Sequence, residues 1–251
     1  MRIAVHAVGE AGRRAALILL AERDLVALGL YGHQGRVADR RTIAIRELTG
    51  FDPLVTDDRD AVSGLAGIAA DDGISCVVTA DEVDRDVAER FSAGEQILLL
   101  GANLAGIAES LAAHEVARTD VVTETSAAWT ASGKPLRRGQ AVAFPDPVGA
   151  RWGEVVSGDH RTAHVRVPIQ GEWAGAAATI VGEVDGERVQ RVVGVADLGP
   201  HLSGIALAAG ALVVAEKSIP PGVHHPGDHA EAYLSAALRV GLEVAAYSSS
   251  K

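Results

Sequence analysis

The chain has 251 residues, 48% hydrophobic and 22% charged, with a formal net charge of -10 at pH 7. That length exceeds one ordinary domain of about 100 to 200 residues, so two lobes are expected, and the composition is that of a globular chain rather than a disordered one. Net negative charge without a Lys/Arg stripe excludes nucleic acid as the expected partner, and the lone cysteine, Cys76 in the apolar run ISCVV, excludes an intrachain disulfide or a zinc-thiolate cluster.

No apolar stretch approaches the ~20 residues of a bilayer span, and MRIAVHAVGEAG lacks a signal-peptide core, so a cytoplasmic protein without membrane contact is expected. Residues 2–8 (RIAVHAV) read as a buried strand, GEAG as a tight turn and AALILLAERD as a helix packed on a sheet. The run LVALGLYG at 25–32 follows closely, as a parallel neighbour reached by a helical crossover. Residues 59–72 read as helix, 74–80 as buried strand, DEVDRDVAERF as helix, and QILLLGAN at 96–103 as another buried strand. From Leu104 an apolar stripe through Ile107, Ala108 and Leu111 marks a helix that ends before Thr119.

The βα rhythm then stops. Residues 120–160, with SGKPLRRG and FPDPVG, read as loops with short strands leading into a second lobe, so the expected domains are 1–119 and 120–251. HVRVPI, AAATIVGEV and RVQRVVGVA read as strands of an antiparallel sheet, the last two joined by the Asp-Gly hairpin of VDGER. A helix over 199–215, the loop SIPPGVHHPGD, a helix from about His229 and a final strand LEVAAY complete the lobe. The expected class is α/β, with an N-terminal Rossmann-type parallel sheet and a second, mixed α/β lobe.

Glycines at the first strand-to-helix turn let the backbone bend and approach a pyrophosphate, which the helix N-terminus then holds. Here Ala7 stands at the first position of GxGxxG, and Gly9 and Gly12 at the second and third, so Ala7, Val8, Gly9, Glu10, Ala11 and Gly12 form the candidate phosphate turn. The bland alternative is a tight turn in an α/β protein with another ligand or none. After the second strand the chain offers Gly32, His33, Gln34 and Arg36, and no carboxylate until Asp39, which favours NADP over NAD. Thr79, Ala80 and Asp81, and Gly101, Ala102 and Asn103, end further parallel strands and are expected on the nicotinamide side.

AVGEAG, GANLAGIAESLA, SGKPLRRG leading to FPDPVG, and GVADLGPHLSGIALAAGALVVAEKSIPPGVHHPGD together resemble the saccharopine dehydrogenase-like oxidoreductases and, more distantly, the dihydrodipicolinate reductase group. Pro221, Gly222, Val223 and Pro226 stand in the PGV..P pattern. The resemblance implies a Rossmann lobe, a mixed α/β second lobe and hydride transfer between NAD(P) and a carbon bearing nitrogen or oxygen. Two departures accompany it: Ala7 replaces the first glycine, and the chain is short for the group, which implies a reduced substrate lobe. The reductase signature of paired histidines, a lysine and a DAPSG-like stretch does not carry over, because PGDH follows His224 and His225.

Catalytic candidates are Lys134 in the loop between lobes, His201 at a helix start and His225; His160 and His164 flank a strand start. HHPGDH reads as a loop entering a helix with Asp228 as its N-cap, in preference to a metal site. GxSxG and GxxxxGK[ST] are missing, so hydrolase and ATPase chemistry gain no support. The leading reading is an NAD(P)-dependent oxidoreductase acting on a small, amino- or carboxylate-bearing substrate. The alternative is a non-catalytic dinucleotide-binding sensor or scaffold. A homodimer is expected, because antiparallel sheets of second lobes often meet across a twofold axis.

Overall fold

The computed structural model describes residues 1–32 and 39–250. β1 (Arg2–His6), α1 (Glu10–Leu19) and β2 (Ala27–Tyr31) form the expected first βαβ unit, with Ile3 opposite Leu28 in a parallel pair. β3 (Thr42–Ile45) extends that edge, and β4 (Leu54–Thr56) lies on the other side of β1. Neither was expected from sequence: β4 has three residues directly behind Pro53, and β3 has four, half of them exposed at the sheet edge. α2 (Val62–Asp71), β5 (Cys76–Val78), α3 (Arg85–Ala93), β6 (Ile97–Leu99) and α4 (Leu104–Val116) follow.

The order β3-β2-β1-β4-β5-β6 is that of a doubly wound sheet, and every pair in it is parallel. Its strands read as continuous apolar runs because both faces are covered. Ile3, Val5, Val55 and Val77 pack on one face, and Ala4, Leu54, Cys76 and Val78 on the other, in the alternation a pleat imposes. Cys76 is fully buried, and desolvation pushes its thiol up to about 12, so it stays protonated core filler.

The second sheet contains β7 (Val121–Ala131), β8 (Gln140–Ala143), β9 (Ala150–Gly158), β10 (Thr162–Pro168), β11 (Trp173–Val184), β12 (Glu187–Leu198) and, at its far edge, β14 (Ala245–Ser250). The β11–β12 hairpin is antiparallel, and Asp185 and Gly186 both have positive φ (53° and 79°), as a type I′ turn requires. The sheet is mixed rather than antiparallel throughout. β7, an eleven-residue strand inside a segment that reads as loop, lies parallel to β10 and antiparallel to β11.

α5 (Gly199–Ala215) is buried on all sides, touching β4 and β5 of the first sheet and β11 and β12 of the second. A helix apolar around its whole circumference needs such a position. After it β13 (Gly222–His224) pairs in parallel with β6 as the seventh strand of the first sheet. α6 (Ala230–Arg239) then locks onto α5, with the fully buried Tyr233 donating its hydroxyl to the Ala206 carbonyl at 2.8 Å. The segment after 119 therefore supplies the whole second sheet and also returns to cover and extend the first. Among the described residues no helix is long and apolar enough to cross a membrane.

Candidate active site

In a doubly wound sheet a crevice opens where the connections leaving two neighbouring strands diverge to opposite sides. Here those strands are β1, whose helix leads to β2, and β4, whose helix leads to β5. Ala7, Val8 and Gly9 leave β1 at that point, and α1 begins at Glu10 with no side-chain cap from Gly9. The open amides are taken across the crevice by Asp57, directly after β4. Its carboxylate accepts hydrogen bonds from Val8 N at 2.8 Å, Gly9 N at 3.0 Å and Gly12 N at 2.8 Å.

The two glycines make room for that side chain. A Cβ on Gly9 would stand 2.7 Å from Asp57 Oδ2, and one on Gly12 would stand 2.8 Å from Asp57 Cγ. A helix N-terminus favours an anion through its free amides and dipole, and here the anion is internal. Strand order, glycines and strand ends fit a dinucleotide. Asp57 is the side chain at odds with it.

Beyond the strand ends, a cleft of about 670 Å³ lies against the second sheet, bordered by Arg59, Asp81, Asn103, Trp129, Arg166 and Ser203. Asn103 organises this rim. Its Oδ1 accepts from Ala105 N (2.7 Å) and Gly106 N (3.2 Å), capping α4, while its Nδ2 donates to Thr79 O (2.8 Å) and Asp81 Oδ1 (2.9 Å). Arg59 has no hydrogen bond or ion pair among the described residues. Arg166 pairs with Glu154 at 2.9 Å, but both side chains are about half exposed, and such pairs contribute little. The cleft thus carries two guanidinium groups and one carboxylate.

A titratable pair stands beside it. Glu109, one turn along α4 from the cleft residue Ala105, has its Oε1 3.4 Å from Nδ1 of His164, which shares a face of β10 with Arg166. Partial burial raises the Glu109 carboxyl above the usual carboxylate range, against the opposing pull of His164 and His225. A raised value means that the folded state holds this proton more tightly than the unfolded chain. The stabilisation is therefore complete below the ordinary carboxylate range and is lost as pH rises through the folded value. Glu109→Gln is expected to raise the melting temperature relative to the parent at neutral pH and to leave it nearly unchanged at pH ~4. Thermal scans giving the same difference at both pH values would refute this.

The structure brings the turn residues Ala7 to Gly12 and the segments Thr79 to Asp81 and Gly101 to Asn103 to the carboxyl ends of the first sheet's strands. Ala102 itself is fully buried in the core, and Glu10 is exposed and pairs with Arg13 at 3.9 Å. Gly32 has φ 72°, and a Cβ there would stand 2.7 Å from the His6 ring, whereas His33, Gln34 and Arg36 lie outside the described residues. Lys134 is exposed in the loop after β7, two residues beyond the cleft residue Ser132. His201 borders a separate cavity of about 300 Å³ with Asp197 and Trp173, so it is not grouped with the main cleft.

His225 precedes a short 3-10 turn, Pro226–His229, and lies beside Gly101. Asp228 does not cap α6 as its sequence position implies; its carboxylate reaches back to accept from His225 N at 2.8 Å. His224 and His229 contact each other at 3.1 Å, and burial followed by repulsion from His224 lowers the His229 pKa. No group of three or more His, Cys, Asp or Glu side chains among the described residues is arranged to hold a metal ion. Sequence reading missed Asp57, Arg59, Glu109, Trp129 and Arg166. The first two follow the unrecognised β4, and the others carry no local motif.

No family model and no curated protein sequence matches the chain. Solved structures do. Dihydrodipicolinate reductase from Paenisporosarcina sp. TG-14, with dipicolinate bound, superposes with a TM-score of 0.55 at 10% identity, over 90% of this chain and 98% of that one. The chain shares that enzyme's fold. The amine dehydrogenase of Mycobacterium smegmatis gives 0.56 at 12% identity over 89% and 94% of the two chains, and C. glutamicum DAP dehydrogenase in complex with DAP gives 0.53 at 11% over 91% and 93%. At such identities the likeness establishes the fold, an α/β architecture with the expected Rossmann-type sheet. In each case the match spans most of both chains.

Proposed function

We propose that the protein is an NAD(P)-dependent oxidoreductase transferring a hydride to or from a small substrate that bears an amino or carboxylate group. The observation that carries this reading is the glycine turn at the β1/β4 crevice of a doubly wound sheet that also borders a cleft containing Arg59 and Arg166. The phosphates would sit at Gly9 and Gly12, and Asp81 and Asn103 would border the reacting end. When bound, the nicotinamide supplies or accepts the hydride. Preference for NADP over NAD rests on His33, Gln34 and Arg36.

The chain's own residues do the rest. Two guanidinium groups in a half-enclosed cleft hold a carboxylate and orient the molecule bearing it, while Trp129 offers an apolar wall that displaces water. Glu109, 3.4 Å from His164 and with its carboxyl raised by partial burial, is the group placed to pass a proton beside the cleft. Among the structural neighbours, the bound ligands dipicolinate and DAP are small molecules of the size such a cleft admits.

The test is NADPH oxidation at saturating cofactor with a panel of cyclic imino acids and of keto acids plus ammonia. Substrate-dependent turnover that falls at least about tenfold in Arg166→Ala is expected, as loss of a charge-assisted contact to an anion predicts. NADPH binding without turnover on any member would return the protein to the scaffold reading. We also propose a homodimer that covers exposed apolar side chains of the second sheet, among them Trp152, Val155 and Tyr247. Sedimentation should give twice the chain mass at micromolar concentration, and a monomer there would remove this element.

A further inference from the structure

The seat that this reading gives to a pyrophosphate already holds an anion. DDRD at 57–60 divides its work: Asp58 Oδ1 accepts from Asp60 N (3.1 Å) and Ala61 N (3.0 Å) at the entry to α2, while Asp57 turns across the crevice to the first turn of α1. The amides of Val8, Gly9 and Gly12 that it holds are the donors a phosphate needs at a first βα turn. Like charges cannot share such a site at contact distance.

We infer that Asp57 decides whether this chain takes a dinucleotide: its carboxylate competes for the phosphate turn, and a pyrophosphate enters only after that side chain rotates out of the crevice. The identity of the displaced ligand rests on the function proposed above; the competition rests on the geometry of the turn. Gly9 and Gly12 serve both occupants, since a Cβ at either position would collide with the Asp57 carboxylate as it would with a phosphate. Asp57 is only partly buried, so its exit does not require the core to open.

The test titrates NADPH and, separately, inorganic pyrophosphate into the parent chain, Asp57→Asn and Asp57→Ala, reading heat by calorimetry and the Val8, Gly9 and Gly12 amides by NMR. Both probes are expected to bind Asp57→Ala at least about tenfold more tightly than the parent, a difference of ~1.4 kcal/mol, with Asp57→Asn intermediate and the three amide resonances shifting on binding. Should Asp57→Ala fail to fold, Asp57→Asn, which keeps the shape and one acceptor oxygen, carries the comparison. Pyrophosphate binding that tightens in the variants without NADPH binding upholds the competition and removes the dinucleotide reading. NADPH affinity that is equal in parent and variants overturns the competition and leaves the cofactor reading standing. Failure of both probes to reach the three amides in folded variants overturns the competition as well.

Discussion

Replacing Gly106 with alanine is expected to destabilise the protein by about 3 kcal/mol, the upper part of the range for forced overpacking. An added Cβ would stand 2.2 Å from the Gly101 carbonyl oxygen and 2.8 Å from Pro226 Cγ. The nearer obstacle is backbone, in a loop where Gly101 already has φ 68°, so no rotamer change relieves it. The first turn of α4 would have to lift away from the end of β6, carrying the Asn103 cap and the rim of the cleft with it. Urea unfolding of parent and variant measures the loss; a change under about 0.5 kcal/mol, ordinary for a surface substitution, would mean that the close approach is not maintained in solution.

The second large effect is expected at Asn103 and separates two substitutions by their pH dependence. Asn103→Ala loses the helix cap and two donated hydrogen bonds, for a cost of about 2 kcal/mol. Asn103→Asp keeps the cap acceptor but turns an oxygen toward the Thr79 carbonyl and the Asp81 carboxylate, where the parent presents an amide donor. At neutral pH it should cost at least as much as alanine. Below the carboxylate range a proton on either acid restores a donor between them, so the aspartate variant should recover stability relative to the parent, whereas the alanine variant should not. Parallel pH profiles for the two variants would show that Nδ2 does not hold this corner together.

The contrast between Asn103 and Asp57 shows what sequence pattern conveys. β1, β2, β5 and β6 were legible because each is an apolar run flanked by a turn or a helix, and the glycine turn followed from its place after β1. β4 was not legible, since two apolar residues and a threonine behind a proline do not stand out, and with it went the crevice wall and Asp57. Glu109 reads as one charged residue within a small-residue helix; only the approach of β10 gives it His164 as a partner. The parallel β7–β10 pair was hidden for a related reason. Its register depends on where β9 returns the chain, and no local signal encodes that. His224 and His225 drew attention as neighbours in sequence, yet His224 engages His229, and the backbone amide of His225 engages Asp228.

The return of the chain to its first sheet also bears on how the protein would respond to cutting. Passing from β6 to β7, from β12 to β13 and from β13 to β14, the polypeptide crosses between the two sheets at three places, and α5 is wedged between them. These crossings act as parallel tethers. A nick in the segment near residue 119 should therefore leave two pieces that stay associated and co-elute, with 199–239 clamped to the N-terminal fragment. Separately expressed, the pieces should reassemble by fragment complementation rather than behave as two independent domains.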